Sequence, residues 1–410
     1  MHSPAELQAC VHYAKEIRPD LPAEVFARNP LRLLWLPVHL AVIGCSIAAI
    51  VGTGIPIYAK LALSVVIGHS YGVLMYLAHE ILHGSVIKNS FWQNWISGLC
   101  MLPYCIGPAH WKAWHNRAHH GHTTQSGVDP DSFGNVTMFM CNRVARFMLK
   151  FAPGSGKLRS GLFLGFWFSF HAVVTLLIHS QRYNYWTPER RRRQIALFAL
   201  EVGFWGCVAY NLGLANFAMI YLVPMVFANV LQMSYIATNH LLCDETADVN
   251  DPLANSLSVT VPTWMDWLHL NFSYHIEHHI YPYVNSYHAP KIRDALVHRY
   301  GNRYRHLPIL QALRLLYKTP SAHLSQSELV DIETGAVFST LGPEGELPHS
   351  LGSVPVPVRP RRPQAENQAE PSATLRLAEG TSSADETVRS EPNPIRLPVS
   401  SARPARQRAA

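Results

Sequence analysis

The chain has 410 residues, of which 48% are hydrophobic and 15% charged, with a formal net charge of +7. This is apolar for a water-soluble globule yet too polar for a chain built of membrane helices alone, so apolar and polar stretches must be segregated along it. The positive charge lies in loops beside apolar runs and in the C-terminal tail, a pattern of membrane topology rather than of a nucleic-acid-binding face. Seven scattered cysteines with no C-x-x-C pair argue against a disulfide scaffold and against a thiolate zinc site.

Taken in chain order, residues 1–30 read as an N-terminal cytoplasmic segment with no cleavable signal. Ser3-Pro4-Ala5-Glu6 has the form of a helix N-cap with a capping-box Glu. It leads into a short amphipathic helix using Leu7, Val11, Ala14 and Ile17, which either lies on the membrane or packs on the protein. Leu31–Val51 and Ile57–Ala78 are apolar runs, and roughly 20 residues suffice to span the hydrocarbon core. The short loop Gly52-Thr53-Gly54-Ile55-Pro56 makes them a hairpin. Ile195–Leu214 and Phe217–Thr238 form a second hairpin with an uncharged turn. Between the pairs lie Phe91–Ile106, broken by Pro103, and Gly161–Ile178. Residues 31–324 therefore read as a membrane catalytic domain and 325–410 as a tail. Leu347–Ala410 mixes Pro, Ser, Ala, Arg and Glu without apolar period and is expected to stay disordered.

Charge then decides the topology. The loops inside the two hairpins carry essentially no Lys or Arg, whereas Arg28, Arg32, Lys88, Lys112, Arg117 and the run Arg190–Arg193 flank the other side. The positive-inside tendency puts that side in the cytoplasm. The consistent arrangement is an all-α integral membrane protein with four transmembrane helices in two hairpins, both ends cytoplasmic, and Gly161–Ile178 embedded without crossing.

Histidines carry the chemistry. Three clusters stand out: His79 and His83; His115, His119 and His120; His275, His278 and His279. A spacing of i,i+4 places two imidazoles on one helix face, one turn apart. Adjacent histidines let one helix reach two metal positions. His79 follows directly on the Ile57–Ala78 run, and His240 follows Phe217–Thr238 in the same way, so both hairpins would present ligands just past the bilayer. With four spans, all three clusters and His240 face one side, in a helical cap. Other histidines read as ordinary: His39, His69, His171 and His179 as helix-interface residues, and His288, His298, His306, His323 and His349 as surface positions. His110 and His122 flank the second cluster as possible supports for its ligands. Imidazole suits zinc, copper, iron and nickel, and zinc closes at four ligands in structural sites. Eight or nine imidazoles therefore imply more than one ion. Neutral ligands leave the ions' charge uncompensated, which suits dioxygen-derived anions between two redox-active metals. Iron is the expected pair, with zinc and copper open on ligand type alone.

The order HxxxH, HxxxHH, HxxHH resembles the histidine boxes of the membrane fatty acid desaturase superfamily. The likeness runs from about Ala78 to Asp131 and from about Asn239 to Ile292, with supporting marks at Trp111, Trp114, Asp129-Pro130-Asp131 and Asn271 through Pro282. It implies a non-haem diiron centre held by His79, His83, His115, His119, His120, His275, His278 and His279. His240 matches the additional ligand that this superfamily supplies after its last membrane helix. The implied reaction uses dioxygen and two electrons from an external donor to set a cis double bond in a fatty acyl chain carried on lipid, CoA or a carrier protein. There is no HPGG haem motif, and box three opens with His275 rather than Gln, which implies a separate donor such as ferredoxin or a cytochrome b5. The implied membrane is a bacterial inner membrane or the endoplasmic reticulum, with the site on the cytoplasmic face. Two alternatives stand beside this reading. His115-Asn116-Arg117-Ala118-His119-His120 is also similar to the second box of membrane hydroxylases, so a hydroxylase or ketolase of the same superfamily comes second. A non-enzymatic, histidine-rich metal-binding membrane protein comes third.

Overall fold

The structure, a computed structural model, describes residues 7–141, 143–342 and 345–355. The Ser3–Glu6 cap and the tail beyond residue 355 lie outside the described residues. Among those described, five helices are long and apolar enough to cross a bilayer: Pro30–Gly52, Ile57–Leu82, Leu158–Arg182, Pro188–Leu212 and Leu214–His240. Their boundaries follow from local chemistry. Pro56 precedes the second; Thr187 caps the fourth, with Pro188 at the position where a missing N–H costs nothing. Gly213, at φ 75°, makes the turn into the fifth. The most apolar window of Pro188–Leu212 is 0% buried against protein, and Leu200 and Tyr210 are fully presented outward. An apolar surface of this extent needs lipid rather than water as its solvent.

Helix Ile57–Leu82 is the axis of the molecule. Its second half, from Ser70 to Leu82, is continuously buried and packs against Val223–His240. Two glycines permit that approach. A Cβ at Gly68 would stand 2.5 Å from the Pro224 carbonyl oxygen, and one at Gly72 would stand 2.6 Å from the Leu231 side chain. Ser90–Met101 is capped by Asn89, whose side chain accepts from the N–H groups of Phe91 and Trp92, and it ends where Pro103 was expected to break the run.

The other described residues form short helices, loops and two small sheets. Cys10–Ile17 is a short helix with Ala9 at its N-cap; of the apolar set expected there, Val11, Ala14 and Ile17 lie in it and Leu7 precedes it. It packs on the protein through Tyr13 and Ile17, against His275–Ile280, while Val11 points outward. The two small sheets are built from short strands. Strand β1 (Ser258–Thr260) pairs in parallel with β2 (His306–Pro308). Strands β3 (Ala322–Ser325), β4 (Glu328–Val330), β5 (Ala336–Ser339) and β6 (Ser350–Ser353) form an antiparallel sheet in that order. The boundary expected near Ser325 therefore falls inside a sheet. Strands of three or four residues leave too little alternation to stand out in a polar sequence.

Candidate metal centre

The nine expected histidines come together, in two groups. His79, His83, His115, His120 and His278 form one, and His119, His240, His275 and His279 the other; within each, the candidate ligand nitrogens lie within 4.8 Å of one another. His79 lies inside the long helix rather than beyond it, and His240 is the last residue of its own helix. Both bring ligands from the long helices to the histidine groups.

The second box is not wound as an α-helix. Lys112–His119 is a π-helix, whose i→i+5 hydrogen bonding widens the turn. As a result His115 and His120, five apart, belong to the first group, while His119 belongs to the second. The short helix His275–Ile280 divides its ligands similarly: His275 and His279 go to the second group and His278 to the first.

The ring nitrogens face one another. Nε2 of His115 lies 3.0 Å from Nε2 of His79 and 3.2 Å from Nε2 of His120, which is 3.0 Å from Nε2 of His278. In the second group Nε2 of His275 lies 2.6 Å from that of His240 and 3.0 Å from that of His279. The outer nitrogens of this group are engaged elsewhere. Nδ1–H of His240 donates to the Asn255 carbonyl at 3.0 Å, and that of His279 to Thr123 Oγ1 at 3.3 Å. That of His119 donates to the Asp129 carboxylate at 3.1 Å. For His240 and His279 the bond fixes the tautomer and leaves Nε2 as a bare lone pair, whereas His119, held between two carboxylates, gives up its Nε2 proton in order to ligate. Lone pairs converging at about 3 Å repel unless a cation lies among them, so this donor set fits metal ions.

Protonation agrees with that fit. Burial holds the imidazoles of His115, His120, His275, His278 and His279 well below the ordinary histidine range, and neighbouring rings add to it. His83 is pushed down to about 3 by burial and by His119. Neutral imidazole is the ligating form. His119 is the exception: burial opposes its charge, but Asp129 and Asp131 raise it to about 9.

Carboxylates beside the histidines order the site, and Asp131 also stands with His115 and His119 in a third group of possible ligands. Asp129 also accepts from the backbone N–H of Thr124 at 2.8 Å and of Asp131 at 2.9 Å. Asp131 accepts from Trp114 Nε1 and from His171 Nε2. The expectation for His171 is thus corrected: it supports the site through Asp131. His110 bonds Thr175 Oγ1 at 3.0 Å, and His122 is exposed, bonded to Gln125. His39 and His69 pack ring to ring at 6.2 Å, in keeping with a helix interface. His323 is buried rather than superficial and bonds the Cys243 carbonyl.

Sequence reasoning also missed Arg32 and Glu80. Both are buried and lie 3.6 Å apart. Arg32 donates to Asn271, Asn285 and Ser286, while Asn285 and Ser286 donate to Glu80. The network ties the start of the first long helix and the first box to the loop after the third.

A slot of about 60 Å³ opens on His79, His115, His119, His240 and His275. Its walls are mostly apolar, including Met75, Trp111, Trp167, Phe168 and Ile236.

Residues 56–308 match the family model described as fatty acid desaturase. Among curated relatives, the chloroplastic omega-6 fatty acid desaturase of Brassica napus is 22% identical over 304 residues, covering 70% of this chain and 65% of the relative. The protein of the same name from Arabidopsis thaliana is 22% identical, covering 70% and 64%, and that from Spinacia oleracea 21%, covering 70% and 64%. The chain thus spans slightly under two thirds of the length of these relatives.

Proposed function

The chain belongs to the fatty acid desaturase family, and from that premise we propose that it is a membrane-bound fatty acyl desaturase whose nine clustered histidines hold two iron ions. The observation that carries this reading is the convergence of nine imidazoles in groups of five and four, five of them lining an apolar slot. The chemistry such a pair supplies is activation of dioxygen with two electrons from an external donor, ferredoxin or a cytochrome b5-type protein. The protein's own residues do the rest. Trp111, Trp167 and Phe168 exclude water and keep an acyl chain extended. Asp129, Thr123 and the Asn255 carbonyl hold His119, His279 and His240 in the ligating tautomer. The omega-6 position in the relatives' name is the first double-bond position to look for.

Four spans, with the clusters on the cytoplasmic face, complete the proposal. Helices Ile57–Leu82 and Leu214–His240 both end at the site, and Pro188–Leu212 pairs with the latter as a hairpin, so residue 188 lies on the site's side, as does the second box. The single helix Leu158–Arg182 between them then returns to the side it left, although its length and composition equal those of a span.

The test is direct. Purified protein reconstituted in lipid, with iron measured by mass spectrometry, is given labelled fatty acyl lipid, acyl-CoA or acyl carrier protein, oxygen and a reductant. New olefin with about two irons per chain is expected. An oxygenated product without olefin would place the chain with the hydroxylases, and absence of iron after anaerobic purification would sink the metal reading.

A further inference from the structure

The two histidine groups differ in access. Every residue of the His119–His240–His275–His279 group is buried, whereas His83, His120 and His278 of the other group are only half-buried. Electrons delivered by a protein must come within short range of a metal, so the half-open group is the side that a carrier can approach.

The rim of that opening is basic. Between Glu80 and Asp129 the sequence has no acidic residue, yet it contains Lys88, Lys112 and Arg117. The loop that follows His83 is held by exposed Arg28, which donates to the Gly84 carbonyl at 3.0 Å. On its other flank Asn116, beside Arg117, donates to the Leu82 carbonyl at 3.1 Å. Gln93 reaches the Ile87 carbonyl at 2.8 Å, and Lys112 Nζ lies 2.9 Å from Asn94 Oδ1. Among the described residues none of these four cations is paired with a carboxylate. An exposed acid, Asp248, stands two residues before the Asn250 that donates to the His120 carbonyl, whereas residues 83–89 carry Lys88 and no acid. Unpaired surface cations around a redox centre favour fast encounter with an oppositely charged partner.

We infer that Arg28, Lys88, Lys112 and Arg117 form the docking face for a small acidic one-electron carrier protein, and that electrons enter through the His79–His83–His115–His120–His278 group. This rests on the desaturase reading. Two carriers each give one electron and return oxidised. With two protons from solvent and two hydrogens from adjacent methylenes, one dioxygen becomes two waters and the acyl chain gains one double bond.

The test uses the metal-loaded enzyme in phosphatidylcholine nanodiscs and an acidic [2Fe–2S] ferredoxin as probe. Zero-length carbodiimide coupling, which joins lysine to carboxylate, should cross-link ferredoxin at Lys88 and Lys112. Lys88→Glu combined with Arg28→Glu should weaken ferredoxin binding about ten-fold or more at low salt, with the difference vanishing at high salt. Lys88→Glu alone guards against displacement of the loop by loss of the Arg28 bond, and it should weaken binding in the same direction. Reduction by methyl viologen should stay unchanged in Lys88→Glu. Cross-links that map elsewhere, or variants that bind ferredoxin as wild type does, overturn the assignment. So does a patch that takes anionic vesicles but not ferredoxin. If methyl viologen and oxygen yield no olefin from the wild type, the desaturase reading fails separately, and the binding result stands by itself.

Discussion

Replacing Asp129 with Asn tests the ordering of the candidate site at one atom. Asp129 is 3% exposed, and three N–H donors point at its two oxygens: Thr124 N at Oδ2, Asp131 N at Oδ1, and His119 Nδ1 at both. An amide has one oxygen and one NH2, so either orientation sets that NH2 against a backbone N–H. Such a buried unpaired donor costs about 1–3 kcal/mol. The lost charge also makes His119 a poorer ligand, and second-layer changes of this kind lower metal affinity about 10–100-fold. That range is about 1.4–2.7 kcal/mol. Metal content after equilibration with graded chelator should fall by this factor, and metal-free protein should also melt earlier, because the backbone mismatch does not need metal. Wild-type metal retention together with a wild-type melting temperature would refute the role given to Asp129.

Three further outcomes follow from other parts of the molecule. His240→Ala removes one of four imidazoles in the buried group and should drop bound metal from about two ions toward one per chain, read by mass spectrometry. Arg32→Met leaves Glu80 buried without its cation and should destabilise by about 3–5 kcal/mol, whereas the double change Arg32→Met, Glu80→Met should recover much of it, as measured by thermal unfolding in one detergent. Gly68→Ala forces a Cβ to within 2.5 Å of the Pro224 carbonyl oxygen and should cost about 1–3 kcal/mol on the same assay; Gly44→Ala, with nothing within 4 Å, is its control.

The histidine constellation was legible because ligation imposes short, regular spacings on one residue type, and because His79 and His240 each close an apolar run. The hairpins were legible for a similar reason, since lipid demands long apolar stretches. Other features depend on distance in space. Arg32 meets Asn285, 253 positions away, and His171 meets Asp131, 40 positions away; no local period encodes either contact. Asp129 and Asp131 were noticed as part of a resemblance, but their work behind His119 needed the folded site. The sheet at residues 322–353 has strands too short to announce themselves, so a polar, proline-rich surrounding masked it.

The π-turn of Lys112–His119 makes the second box sensitive to length as well as to identity. Its histidines reach two different groups because the winding accommodates one more residue than an α-helical turn. Removing Ala118 would restore ordinary winding and move every later side chain back by one position, putting His120 in the place of His119 and His119 in that of Ala118. A single-codon insertion or deletion within this segment would therefore break both halves of the centre at once.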